Sequence, residues 1–126
     1  MITCGKIVFI NREGIQHFFH VWVVLNSKDM ENGLRGVSDL RKDHGMVFEN
    51  PSLGHMQMNM RGMKIPLDII FVSVEQRVTG IIENAQPNDS YIQVYKSTIP
   101  SRYVVEVPAG TSKKLNIQPG TIFKFA

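Results

Sequence analysis

The chain has 126 residues, a formal net charge of +3, 43% hydrophobic residues and one cysteine. This length fits one domain spanning residues 1–126 and excludes paired Rossmann units, kinases and (β/α)8 barrels, while the lone Cys4 excludes an internal disulfide framework and a cysteine-based zinc site. The positive excess lies after residue 60 and is scattered along the chain, which argues against a nucleic-acid groove.

The N-terminal part predicts a β-hairpin over residues 6–25. Lys6 to Ile10 is rich in β-branched and aromatic residues, and Asn11-Arg12-Glu13-Gly14 has turn composition. A second apolar run follows from Gln16 to Leu25. The longest nearly apolar stretch of the chain lies in this run. It is far shorter than the roughly 20 residues that span a bilayer, so no membrane span is expected.

The next segment predicts a short helix and one brief strand. Ser27 can cap a helix that Gly33 and Gly36 keep short. Met46-Val47-Phe48 is typical of a buried strand, and the composition of Asn50 to Gly54 predicts a loop.

The central part predicts three strands. Met56, Met58 and Met60 alternate with polar residues, as in a half-buried strand. Ile65 to Val74 and Arg77 to Ile82 are dense in aliphatic residues, with a tight hairpin at Glu75-Gln76. Gln86 to Ser101 is the longest irregular stretch.

The C-terminal part predicts a strand, a helical turn and a last strand. Tyr103 to Val107 alternates, Thr111 is positioned to cap a turn ending at Leu115, and Thr121 to Phe125 closes the chain. With seven to nine short strands and one or two short helices, the chain is predicted to be mostly β, a compact barrel-like or sandwich single domain.

One stretch, His55 to Met63, suggests a metal. Thioethers are soft ligands that suit Cu(I), so His55, Met56, Met58 and Met60 are a candidate copper site. Core filling is the stronger interpretation, because period-2 spacing puts the three sulfur atoms on one strand face. The four histidines show no paired metal-ligand spacing, and no metal or other cofactor is expected.

Asp68 is the polar residue that the sequence places among apolar strand residues, in the run IPLDIIF. A buried carboxylate needs a partner, and Arg61, Arg102 and Glu106 are candidates. Asp68 is predicted either to tie the fold through an arginine or to head a ligand pocket with Arg102 and Glu106, with Arg61 and Asn84 at its rim. The structural tie is favoured, since burial alone rarely signals catalysis.

Three stretches of the chain, LRGVSDLRKDHGMVFEN, MRGMKIPLDIIFV and RYVVEVPAGTSKKLNIQPG, together resemble the domain of unknown function 192 family of bacteria, archaea and phages. The match covers Gly33 to Gly120. It includes the aligned positions Gly33, Leu34, Leu40, Asp43, Gly45, Met46, Phe48, Met60, Ile65 to Phe71, Arg102 to Val104, Glu106, Pro108 to Gly110, Leu115, Ile117 and Gly120.

The resemblance implies a compact, barrel-like β fold with short helices, and it implies no established reaction. The chain departs from the family pattern at Asn59 to Met63, where an aromatic residue and a polar Asn-Thr pair are missing. Cysteines common in the family's long loop are also missing between Gln86 and Ser101. We therefore expect a weakened ligand site on a retained fold.

The sequence contains no GxSxG nucleophile elbow, no P-loop and no dinucleotide-binding motif. This favours a non-catalytic role but does not decide whether the protein is an enzyme. The first expectation is a structural, assembly or protein-binding module that docks on another protein or on its own copies, for example a subunit that decorates or cements a virus particle. The alternative is a small-ligand binder or hydrolase with a polar pocket around Asp68, Arg102 and Glu106. Because no signal peptide is visible, the expected location is the cytoplasm or a particle assembled there.

Overall fold

The computed structural model describes residues 2–25, 33–88 and 94–126. Within these residues it contains nine strands and one short helix. They are β1 Ile2–Ile10, β2 Gln16–Val24, β3 His44–Gly54, β4 Gln57–Asn59, β5 Leu67–Val72, β6 Val78–Ala85, β7 Val94–Lys96, β8 Ser101–Pro108, α1 Thr111–Lys114 and β9 Ile122–Phe125.

The N-terminal hairpin forms as predicted, and β1 is longer than expected because it begins at Ile2. Pairing with β2 is continuous from Ile2 opposite Val24 to Ile10 opposite Gln16. The buried side chain of Asn11 organises the turn, since its Oδ1 accepts the backbone N–H groups of Glu13 and Ile15. An Asn that bonds its own turn in this way is favoured at such positions.

Seven strands form one curled sheet in the order β6-β5-β8-β3-β2-β1-β9, and β4 pairs with β7 in a second, small sheet. The pairing of β2 with β3 is parallel, and the other ladders are antiparallel. The two ends of the large sheet meet at one corner. There the N–H of Val78 donates to Thr121, and the N–H of Phe123 donates to Gln76. The sheet is therefore a half-barrel that closes at this corner.

Each face of the sheet carries its own apolar cluster, because side chains alternate along a strand. The inner cluster lies inside the curl and includes Phe9, Phe19 and Phe123, with ring centroids 5.6–5.9 Å apart for the pairs involving Phe9. The outer cluster lies on the opposite face of the central strands. It contains the buried methionines Met46, Met58, Met60 and Met63. The described residues thus form one compact domain with two layers of core.

Three local predictions need correction. Asn50 to Gly54 is part of β3 and not a loop, because Gly54 pairs with Ser101 beyond a register shift after Glu49. Gly110, not Thr111, occupies the N-cap of α1, in a left-handed conformation. The irregular stretch after Gln86 contains β7. The helix predicted from Ser27 lies outside the described residues.

Candidate functional site

Asp68 lies on β5, fully buried, and its partners are backbone amides. Its Oδ1 accepts the N–H of Asn84 at 2.9 Å and that of Gly110 at 3.2 Å, and its Oδ2 accepts the N–H of Ser112 at 2.9 Å. Gly110 has no side chain, so Asp68 supplies the carboxylate that caps α1. The predicted arginine partner is therefore wrong. Asp68 ties β5 to β6 and to the start of α1 through backbone N–H groups.

Asn84 is the predicted site residue that lies beside Asp68. It adopts a φ of 54°, a left-handed conformation that Asn tolerates better than most residues. Asn84 lies where the pairing of β6 with β5 shifts register, and its N–H donates to Asp68. Both residues line a cavity of about 350 Å³, together with Glu83, Gly110 and Lys113. Two of the five predicted pocket residues therefore share one cavity.

Arg102 and Arg61 have other partners. The guanidinium of Arg102 donates to the carbonyl oxygen of Asn50 and lies 3.7 Å from a carboxylate oxygen of Glu49. It also lies 5.5 Å from the ring centroid of Tyr103. Arg61 is exposed, and its backbone N–H donates to Asn59 Oδ1. The structure places both arginines with these neighbours and outside the cavity beside Asp68.

Glu106 lies on β8, buried between two strands with apolar side chains. Its register partners are Met46 on β3 and Ile69 on β5. These neighbours belong to the outer cluster, so the carboxyl group shares the face of the methionine layer. Burial raises the pKa of Glu106 to about 8, because the surroundings disfavour the ionised form.

The candidate copper ligands lie in two environments. Met58 and Met60 are buried in the outer cluster, and Met56 packs against it. The Nδ1 atom of His55 lies 2.7 Å from the carbonyl oxygen of Ser97. The methionine side chains thus fill the core beneath the small sheet, as flexible thioether side chains often do. Among the residues with described positions, no group of three or more His, Cys, Asp or Glu is arranged to hold a metal ion.

The parallel pairing of β2 with β3 creates a cluster that sequence spacing could not reveal. His20 lies opposite His44, and their ring centroids are 5.4 Å apart. The Nδ1 atom of His44 lies 2.9 Å from Asp43 Oδ1, and this hydrogen bond lowers the pKa of Asp43. The ring of Trp22 lies 6.4 Å from that of His44. His20 and Trp22 on β2 are far in sequence from Asp43 and His44, so only the strand pairing brings the two groups together.

The outer edge of β1 is a second feature that the sequence did not indicate. β9 pairs with residues 7–10 of β1, and the N–H of Ala126 donates to the carbonyl oxygen of Lys6. Since backbone groups alternate between the two sides of a strand, those of Ile2 and Cys4 also point away from β2. Within the described ranges, no strand pairs with this outer edge over residues 2–5.

The protein is a small β domain with one curled sheet and a methionine-rich outer layer. Its short helix is capped by a side chain of β5. In this class of domain, the residues of the sequence motifs stabilise the fold. The chain belongs to the domain of unknown function 192 family, described as Uncharacterized ACR, which it matches over residues 8–125. This match is wider than the one expected from the motifs, because it takes in most of the N-terminal hairpin.

Two solved structures share this fold. A protein from Sinorhizobium meliloti 1021, provisionally described as a transcription regulator, is 28% identical, with a TM-score of 0.93 over 98% of this chain and 94% of that one. A protein of unknown function from Novosphingobium aromaticivorans DSM 12444 is 29% identical, with a TM-score of 0.91 over 96% of this chain and 84% of that one. No curated protein matches the chain. Within the described ranges, the helical segment falls short of the length and apolarity needed to cross a bilayer.

Proposed function

We propose that the protein is a non-catalytic assembly module that joins to a second copy of itself by strand addition at the outer edge of β1. The observation that carries the proposal is the outward-facing backbone of Ile2 and Cys4. Unpaired N–H and C=O groups on a strand edge are a template for another strand. A particle built from many copies, including a virus particle that such a subunit decorates, is one setting for this function.

Two stretches of strand edge in the large sheet, one on β6 and one on residues 2–5 of β1, differ in a way that favours β1 as the docking edge. The β6 edge has register shifts in its pairing with β5, an exposed Glu83 and the left-handed Asn84. Bulges and charges of this kind protect an edge from strand addition. Residues 2–5 of β1, in contrast, contain no charged side chain and no proline, and their pairing with β2 has no shift.

A two-fold pairing about Thr3 fits this edge. Ile2 of one copy then lies opposite Cys4 of the other, which forms about four backbone hydrogen bonds. Lys6 of one copy stays away from Lys6 of the other, so like charges do not meet. Ile2 is 50% exposed and would lose apolar surface to water on pairing. A four-residue edge buries far less than a standard interface of about 1,600 Å², so we expect weak association, with a dissociation constant of about 0.1–1 mM.

Sedimentation velocity and light scattering over concentrations up to about 1 mM test the proposal. The mass of the wild-type protein should rise from monomer towards dimer. Cys4→Pro should remain monomeric, because proline removes an outward N–H without removing a hydrogen bond to β2. Cys4→Thr is the matched control, which keeps the N–H, removes the thiol and should associate like the wild type.

Hydrogen exchange provides a readout that does not depend on how well the proline variant folds. The amides of Ile2 and Cys4 should become protected as wild-type concentration rises, while the amide of Glu83, an exposed residue outside this edge, should not change. A wild-type protein that stays monomeric at about 1 mM, or a folded Cys4→Pro variant that dimerises normally, would overturn the proposal.

The alternative function is small-ligand binding or hydrolysis near Asp68. Its support is the cavity that Asp68 and Asn84 line, where Lys113 adds a positive charge. The geometry favours it less, because both Asp68 oxygens already accept backbone N–H groups and Arg102 contacts Glu49 and Asn50. Under this alternative, Asp68→Asn abolishes ligand binding and leaves stability nearly unchanged, an outcome opposed to the one developed in the Discussion.

A further inference from the structure

A cavity of about 300 Å³ lies between the start of β2, the segment before β3, and α1. Its apolar lining comes from Phe18, Phe19 and Leu115. The polar lining consists of Gln16, His17, Lys42, Asp43, Thr111 and Lys114. These residues come from three separate parts of the chain, which explains why no sequence motif marks the cavity.

The charges around this cavity are predominantly positive. Lys42 and Lys114 contribute two ammonium groups, and Asp43 contributes the carboxylate. That carboxylate already accepts a hydrogen bond from the neighbouring His44 ring, with 2.9 Å between Nδ1 and Oδ1. An incoming anion therefore meets two lysines and one carboxylate that already accepts a hydrogen bond. His17, which also lines the cavity, can donate a hydrogen bond to the anion.

The helix that forms one wall of the cavity is fixed at both ends. Asp68 accepts N–H groups at the start of α1. After its last turn, the carbonyl oxygen of Leu115 accepts a hydrogen bond from Asn11 Nδ2 at 3.2 Å. Asn116 Nδ2 also donates to the carboxylate of Glu13 in the hairpin turn, at 3.0 Å. Because α1 is anchored to β5 and to the hairpin, the lining residues of both walls are held in place before a ligand arrives.

We propose that this cavity binds a small amphipathic anion, namely a monocarboxylate with an apolar body. The carboxylate lies between Lys42 and Lys114, and the apolar body packs on Leu115 and on Phe18, which is 45% exposed. At roughly 30 Å³ per water molecule, the cavity has room for about ten water-sized groups, which is enough for a ligand of this kind. The proposal does not depend on strand addition, because His17 lies at the opposite end of the hairpin from Ile2.

Octanoate is a suitable probe, since it has about ten non-hydrogen atoms and one carboxylate. We expect a titration followed by amide NMR shifts to saturate with a dissociation constant at or below about 1 mM. The shifts should concentrate at residues 16–19, 42–43 and 111–115. Octanamide, which is neutral and of equal size, should bind at least about fivefold more weakly, and inorganic phosphate should bind at least as weakly as octanamide.

Charge variants of two adjacent helix residues provide a matched comparison. Lys114 lines this cavity, whereas its neighbour Lys113 lines the cavity beside Asp68. Lys42→Gln and Lys114→Gln should each weaken octanoate binding about three- to tenfold, and Lys113→Gln should leave it unchanged. The proposal is overturned by shifts that do not saturate or that spread over the whole surface, by octanamide or phosphate binding as tightly as octanoate, or by equal effects of Lys113→Gln and Lys114→Gln.

Discussion

Asp68→Asn should destabilise the protein strongly, because Asp68 connects three chain segments. The carboxylate is fully buried and accepts three backbone N–H groups, at 2.9, 3.2 and 2.9 Å. They belong to Asn84 on β6, to Gly110 at the cap of α1, and to Ser112 in its first turn. One side chain therefore joins β5 to its neighbouring strand and to the helix.

The expected magnitude follows from these three bonds. Hydrogen bonds to a charged group contribute about 1.5–3 kcal/mol each, and an unsatisfied buried donor costs about 1–3 kcal/mol. Asparagine keeps one oxygen acceptor, so it retains weakened bonds on one side and places an NH2 group against an N–H donor on the other. We expect a loss of about 3 kcal/mol for Asp68→Asn and about 4–5 kcal/mol for Asp68→Ala, where all three donors lose their acceptor.

Urea unfolding followed by circular dichroism measures these losses, provided that the slope of free energy against urea concentration is unchanged. Glu83→Gln is the control, because Glu83 lines the same cavity, is exposed and should change stability by less than about 0.5 kcal/mol. A loss below about 1 kcal/mol for Asp68→Asn would refute the structural role and favour the ligand-pocket alternative.

Two further predictions concern β8 and its neighbour β3. Burial raises the pKa of Glu106 from 4.5 to about 8, so the unfolded state releases its proton first as pH rises. The wild type should therefore lose stability relative to Glu106→Gln between about pH 4.5 and pH 8, by roughly 5 kcal/mol in total. Urea unfolding at a series of pH values measures this difference, and a difference that stays constant with pH would contradict the prediction. A Cβ at Gly45 would lie 2.5 Å from the backbone oxygen of Glu106, so Gly45→Ala should cost about 3 kcal/mol. Gly54→Ala, whose Cβ meets no described atom within 4 Å, should cost less than about 1 kcal/mol by the same assay, and equal costs would refute the close-contact argument.

The sequence predicted best where structure depends on local pattern. The hairpin of β1 and β2, the apolar run of β5 and the tight turn at Glu75-Gln76 follow from composition and period, and all three are present. Prediction failed where a distant partner decides the outcome. Residues 50–54 have turn composition, yet β3 extends to Gly54, where pairing with Ser101 supplies the distant partner.

The candidate site illustrates the same limit. The sequence correctly indicated that Asp68 is buried and in need of partners, but side-chain chemistry alone pointed to an arginine. Backbone N–H groups have no signature in the sequence, although the positive φ of 90° at Gly110 explains why a glycine follows Pro108-Ala109. Likewise, His20 and His44 meet only because β2 and β3 pair in parallel.

These contacts separate the residues that mark the family from those suited to bind a partner. Asp68 and Gly110, which carry the resemblance, are joined to each other by a hydrogen bond. Gly45, another motif residue, lies against the backbone of Glu106, so a larger residue there would push β3 away from β8. Because these motif residues already bond to or pack against other parts of the chain, they preserve the half-barrel and have few free groups with which to bind a ligand. Binding specificity should therefore reside mainly at positions that are not among those aligned with the family, as in the outer edge of β1 and the two lysines that line the cavity beside α1.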